Sequence, residues 1–301
     1  MLCSDGVKKK GVVFPSILFL FFLAVCFVIS PSAEGAFFVT PEGAGNEDGS
    51  SWEHAYGEKD LQTAVDAAAV GGGGEVWVAA GVYRPSLEGD QNVPFTLKTG
   101  VALYGGFSGT EIHRSERDWE ENLTVLTGDL DNNDEGKVYG VTVSADQIVG
   151  DNSKTVVKAG NTDDTAILDG FTVCGGSNAL GQGGGMHNGS GSPRVINCTF
   201  IGNATRKGGG VYNDSGSPEI ANCTFTGNAA SWRGGGMCNW SGSARVINCT
   251  FTDNDVDLYG GGMYNDSGSP RAVNCTFVGN TTGYLGGGMY NFSGSPQIVS
   301  C

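Results

Sequence analysis

Between Ile196 and Phe200 the chain alternates, with an aliphatic residue, Cys198 and an aromatic on one parity and Asn197 and Thr199 on the other. Period-two alternation of this kind predicts a strand with its apolar set turned inward. The string returns around Cys223, Cys249 and Cys275, and Cys301 continues the steps of 25, 26, 26 and 26 residues. Glycine triplets starting at Gly183, Gly208, Gly234, Gly260 and Gly286 keep the same steps. Each triplet is followed by an apolar residue, Met186, Val211, Met237, Met263 or Met289, which predicts an inward stack. A period this regular and this short marks structural units stacked in one dimension. Blocks such as Ser190-Gly191-Ser192-Pro193 carry turn chemistry and no helical spacing of apolar positions. Equivalent strands stacked in parallel about 4.8 Å apart would satisfy every backbone group, so the pattern over residues 183–301 predicts a parallel β-helix.

The pattern changes upstream. Asp60 to Val70 has Leu61, Val65 and Ala68 near helical spacing and predicts a short helix, followed by a strand over Glu75 to Val78. A solenoid needs its open hydrophobic end covered, so the helix is expected to cap it within an N-terminal segment of residues 37–100. Residues 101–182 then supply less regular rungs, among them Val101 to Phe107 and Ala166 to Val173. Before all of this, Lys8, Lys9 and Lys10 precede an apolar run from Val12 to Ile29, with small residues at Ala33, Gly35 and Ala36. That order predicts a cleaved signal peptide over residues 1–36, with an uncleaved anchor as the alternative. At the other end the chain stops at Cys301 in mid-pattern, so a longer protein with a further C-terminal part is expected.

Composition sharpens this picture. The 51 glycines without a Gly-X-Y period fit turn-dense β-structure. Without residues 1–36 the chain keeps 14 basic and 30 acidic residues, a net charge of −16. Such a surface repels nucleic acid and anionic lipid, which sets nucleic-acid binding aside and leaves the membrane accessible only through the leader or an absent C-terminal anchor.

Gly-Gly-Gly-Met/Val followed by Phe-x-x-Asn, as in Phe200 to Asn203, Phe225 to Asn228, Phe251 to Asn254 and Phe277 to Asn280, resembles the paired repeats of polymorphic outer membrane proteins. More broadly the chain resembles right-handed parallel β-helix repeat proteins of the pectin-lyase-like superfamily. The stretches SSWEHAYGEKDLQTAVDAAA, GVALYGGFSGTE and ERDWEENLTVLTGD are similar to the leaders of such secreted proteins. The resemblance implies an all-β, right-handed solenoid with a short cap helix, exported to the cell surface or the medium. It leaves activity open, because the group holds polysaccharide lyases and hydrolases as well as adhesin-like proteins.

Candidate chemistry is sparse. The cysteine column reads as packing: stacked parallel side chains are slightly too far apart at Cβ for a disulfide, and no Cys-x-x-Cys accompanies His54, His113 and His187. Asp163 and Asp164 are adjacent, so on a strand they would face opposite sides, and a turn is the better role. Asp129, Asp131 and Asn133 alternate oxygens in a way that suits calcium, although the loop lacks the glycine and glutamate of an EF-hand. Otherwise no cofactor is expected. Asn-x-Thr at Asn197, Asn222, Asn248 and Asn274 belongs to the repeat and says little about glycosylation.

The variable positions after each Met are the candidate binding residues. Tyr212, Tyr264 and Tyr290 would share an outward column with His187 and Cys238, and Asp214, Trp240, Asp266 and Phe292 would form a second. Flat rings beside acids suit sugar faces and hydroxyls, against the plainer reading that such residues decorate turns and sheets. The regular rungs carry no convergent acid/base set, no basic cluster suited to a lyase and no metal triad, so no catalytic residue is assigned. The expected function is therefore a non-catalytic scaffold for adhesion or glycan contact, with extracellular polysaccharide or a host or neighbouring cell surface as partner. A polysaccharide lyase or glycoside hydrolase is the alternative.

Overall fold

The computed structural model describes residues 35–301, so the leader expected over residues 1–36 lies outside the described residues apart from its last two positions. A regular turn of the coil contains four short strands, for example Met237–Trp240, Arg245–Ile247, Thr250–Thr252 and Asp255–Val256. Equivalent strands pair in parallel with those of the turns before and after. The result is a nine-stranded sheet running from Ala36–Val39 to Gln297–Val299, two seven-stranded sheets and a five-stranded one. One seven-stranded sheet, here the Met sheet, holds Met186–Asn188, Val211–Asp214, Met237–Trp240, Met263–Asp266 and Met289–Asn291. The other, the Phe sheet, holds Thr199–Ile201, Thr224–Thr226, Thr250–Thr252 and Thr276–Val278. Among the described residues no helix is long and apolar enough to cross a membrane.

The expected single strand around each cysteine is two. Asn197, Asn222, Asn248 and Asn274 adopt left-handed conformations, with φ of 51° to 55°, and turn the chain from the nine-stranded sheet into the Phe sheet. Asn is among the few residues that reach this region at low cost. The corner resets the alternation: Val195 rather than Ile196 is buried, together with Cys198 and Phe200. In the triplets, the first glycine of the second repeat, Gly208, has φ +66°, and a Cβ there would lie 2.4 Å from the Val211 carbonyl oxygen.

The interior is a set of one-residue columns. Phe200, Phe225, Phe251 and Phe277 stack with centroids 4.5–5.1 Å apart. The Met and Val residues after the triplets join them in one continuous core. The cysteines of the described residues are free thiols, and those of the column donate to the carbonyl two residues back, at 3.1 Å for Cys198 and 3.2 Å for Cys223. Two asparagine ladders are buried as well. In one, the Asn188 amide donates to Asn213 at 2.7 Å and the Asn239 amide to Asn265 at 2.7 Å. In the other, Asn203 donates to Asn228 at 3.0 Å and Asn228 to Asn254 at 2.9 Å. Stacking identical amides lets each satisfy its neighbour where no water reaches.

The helix α1 (Leu61–Val70) forms where the apolar spacing places it and buries Leu61, Ala64, Val65 and Ala68. These side chains join the same core as Val39, Val76, Val78 and Leu103, closing the end of the coil.

Candidate functional site

The site is built on the outer face of the Met sheet. Pairing is in register, His187 with Tyr212, Tyr212 with Cys238, Cys238 with Tyr264 and Tyr264 with Tyr290. Asp214, Trp240 and Asp266 form the neighbouring column, and Phe292 follows it with its backbone N–H on the Asn265 carbonyl at 2.9 Å. The two columns are thus assembled as the repeat predicts.

They are not open to solvent along their length. Tyr212 is 2% exposed, Tyr264 0% and Asp266 8%. Strand parity says which side of a sheet a residue occupies, but not what covers it. Here the segments before the triplets at Gly208, Gly234 and Gly260 fold over the column, bringing Lys207, Trp232, Arg233 and Tyr259 across it. Asp214 and Trp240 are half-buried, as is Tyr290, and Phe292 is 62% exposed. The seven residues therefore form a covered cluster with an open margin rather than a free aromatic strip.

The cover is cationic. The Lys207 Nζ lies 3.9 Å from the Trp240 ring centre and 4.6 Å from that of Trp232. The Arg233 guanidinium carbon lies 4.2 Å from the Trp232 centre, 4.9 Å from Trp240 and 4.8 Å from Tyr264. Arg233 also reaches Asp266 Oδ2 at 3.4 Å, while its Nε is buried with no partner. Among the described residues, Lys154, Lys158, Arg206, Lys207 and Arg271 are the cations with no carboxylate oxygen within 4.0 Å. All but Arg271 belong to this face: Lys158 pairs with His187, and Lys154, Lys158 and His187 line a cavity of 160 Å³ at its N-terminal end.

Burial sets the protonation of the cluster. It lowers the pKa of the Lys207 ammonium and of His187, where Lys158 adds to the effect. It raises the phenols of Tyr212 and Tyr264. It also pushes the Cys238 thiol up to about 12, against the pull of Lys207 and Arg233. A desolvated cation over aromatic faces, with no carboxylate oxygen within 4.0 Å and Asp214 the nearest acid acting on it, favours an incoming anion.

The basic cluster that reading along the chain does not reveal is thus assembled by stacking. Its signal lies in register: Lys207 and Arg233 are paired across successive turns and both immediately precede a triplet. Aligning the repeats on the glycines puts them in one column.

The remaining candidates lie elsewhere. Asp129 is buried, and its carboxylate accepts from Lys137 Nζ at 2.5 Å and from the backbone of Asn133 at 2.8 Å. Asp131 and Asn133 are exposed. Asp134 in the same loop is also buried, accepting from Thr142 at 2.6 Å, Val149 at 2.8 Å and Asn152 at 3.1 Å. Both carboxylates hold the excursion between residues 128 and 153 in shape. Among the described residues no group of three or more His, Cys, Asp or Glu is placed to hold a metal ion. Asp163 accepts from the backbone of Thr165 at 3.0 Å, a turn contact, and is exposed like Asp164.

With this geometry in hand, comparison with known proteins identifies the coil. Residues 183–301 match the family described as right handed beta helix region. The fold is a right-handed parallel β-helix. Among solved structures this β-helix is similar to the crystal structure of pectate lyase Pel9A, with a TM-score of 0.55 and 14% identity. The likeness covers 87% of this chain and 61% of that one, so the β-helix spans about three-fifths of the length of its structural relative. At this identity the likeness is one of fold. No curated protein matches the chain.

Proposed function

We propose that this β-helix is an exported polysaccharide-contacting protein that binds an anionic glycan on the outer face of its Met sheet. The observation that carries the reading is Lys207, a buried ammonium laid over Trp240 and Trp232 with no carboxylate partner. Cations are scarce in an acidic chain, and those left without partners gather on this face. Carboxylates on a sugar polymer would supply the missing counterions, and the half-buried Trp240 would offer a ring face to the sugar. The fold shared with a pectate lyase agrees with a glycan ligand. Cell-surface or secreted placement, with adhesion as the outcome, rests on the leader expected from residues 1–36.

The test is binding of polygalacturonate to the wild type and to Lys207→Met, with calorimetry as readout. The wild type is expected to bind in a salt-sensitive way, and the variant about tenfold more weakly or worse. A wild type that ignores every polyuronate offered, or a variant that binds equally well, would overturn the proposal.

One observation favours a second reading. A lysine with a lowered pKa keeps more of its neutral amine near neutral pH, as a general base needs, so Lys207 could remove the proton beside a uronate carboxylate. The glycosidic bond would then break, leaving an unsaturated sugar end, and the departing oxygen would take a proton from water. Appearance of unsaturated ends with the wild type, lost in Lys207→Met, selects elimination; binding without new ends selects the scaffold.

A further inference from the structure

A second groove lies at the corner where the nine-stranded sheet turns into the Phe sheet, separated from the cationic face by the full width of the nine-stranded sheet. It encloses 280 Å³, and its lining includes Trp119, Glu120, Asn197, Asn222, Thr199 and Thr224. Trp119 arrives on the excursion that follows Phe107 and is held by its neighbour Arg117. The Arg117 guanidinium lies 4.8 Å from the Trp119 ring centre and 5.0 Å from that of Tyr104. It is fixed there by Asp169 Oδ2 at 2.8 Å, both side chains being about nine-tenths buried. The indole, propped on one face, remains 36% exposed at the groove. A large aromatic ring held rigidly at a surface has already lost the entropy that binding would otherwise cost it.

Beside the ring runs a regular polar track. The Asn197 amide donates to Asp169 at 2.9 Å, Asn222 to Asn197 at 3.3 Å, Asn248 to Asn222 at 3.2 Å and Asn274 to Asn248 at 3.2 Å. Thr199, Thr224, Thr250 and Thr276 stack in register beside it. Among the described residues these hydroxyls make no hydrogen bond, so their donors and acceptors are free for a ligand. The track repeats once per turn, about 4.8 Å, close to the length of one pyranose in an extended chain. Glu120 is the one charged residue of the lining, so a carboxylated sugar is repelled where a neutral one is not.

We propose that this groove binds a neutral, extended polysaccharide, with Trp119 stacking on one pyranose ring and the Asn and Thr columns hydrogen-bonding to hydroxyls of successive residues. The inference is independent of the anionic-glycan site, which lies on another sheet and uses other residues.

Calorimetric titration of the protein with cellohexaose and with xylohexaose tests it, with hexagalacturonate as the charged comparison. Saturable binding of at least one neutral hexasaccharide is expected, weakened about tenfold by Trp119→Ala and largely retained by Trp119→Phe. Thr224→Val, which keeps shape and removes one hydroxyl, should weaken binding by a smaller factor without a change in melting temperature, so a fold defect in Trp119→Ala cannot decide the result alone. Lys207→Met, which tests the other face, should leave neutral binding unchanged. No binding of either neutral sugar, undiminished binding by both Trp119→Ala and Thr224→Val, or hexagalacturonate binding that Trp119→Ala abolishes would each overturn the proposal.

Discussion

The Lys207 ammonium rests 3.9 Å from the centre of the Trp240 ring, carried on a strand of the neighbouring turn, and no carboxylate oxygen lies within 4.0 Å of it. Such a cation is stabilised by the ring faces, worth about 0.5–2 kcal/mol, and destabilised by its loss of water. The loss of water is the larger effect and lowers the pKa of the ammonium, which leaves the charge to be stabilised by whatever binds.

That balance gives the first prediction. Lys207→Met keeps the length of the side chain and removes the desolvated charge, so its stability should match the wild type or exceed it by up to about 1 kcal/mol. Chemical denaturation measures this directly. A loss of more than about 2 kcal/mol would mean that the lysine holds the cover in place, and its partnerless charge would then say nothing about a ligand.

The asparagine ladders make a sharper distinction between positions that look alike in the repeat. Asn228 donates to the Phe200 carbonyl at 2.9 Å and to Asn254 at 2.9 Å, and accepts from the Asn203 side chain at 3.0 Å. Asn228→Leu strands all three partners away from water and should cost about 3 kcal/mol or more. Asn222, six residues earlier, is exposed and holds the left-handed corner with φ 55°. Asn222→Gly should be nearly neutral, while Asn222→Ala should cost about 1 kcal/mol. Equal losses at the two sites on urea titration would contradict this division.

Much of this was legible in the chain because one-dimensional repetition converts sequence register directly into spatial neighbourhood. The Met, Phe and Cys columns, the parallel pairing and the capping helix all follow from period and parity. Two things did not. The Asn corner reads as part of a strand in the sequence, because a single left-handed residue leaves the hydrophobic pattern almost intact while resetting which aliphatic residue faces inward, Val195 rather than Ile196. The cover over Tyr212 and Tyr264 leaves no repeat signal, because the residues that form it, Lys207, Trp232 and Arg233, precede the glycines and differ from copy to copy.

Calcium supplies a further test. Asp129 in the acidic loop has Lys137 Nζ at 2.5 Å and two backbone amides on its carboxylate. With its oxygens so engaged, millimolar calcium should leave the melting temperature unchanged, as followed by calorimetry in calcium and in chelator. A rise in calcium that is reversed by chelator would show that Asp129 leaves Lys137 for the ion.

The thiols give the last prediction. Burial pushes Cys174 up to about 11 and Cys238 up to about 12, whereas an unfolded cysteine titrates near 8.5. A group whose folded pKa is raised keeps its proton where the unfolded chain has lost it. Its stabilising contribution is complete below about pH 8.5 and is lost as the pH rises toward the folded value. The wild type should therefore lose stability between about pH 9 and 11 more steeply than Cys174→Ala, whatever the offset that the cavity in the variant introduces at neutral pH. In the folded protein at neutral pH the buried Cys174, Cys198, Cys223, Cys238, Cys249 and Cys275 should react slowly with a thiol reagent, and denaturant should release them. Rapid labelling of Cys223 or Cys249 in the native state would mean that the column opens and is not the sealed packing described above.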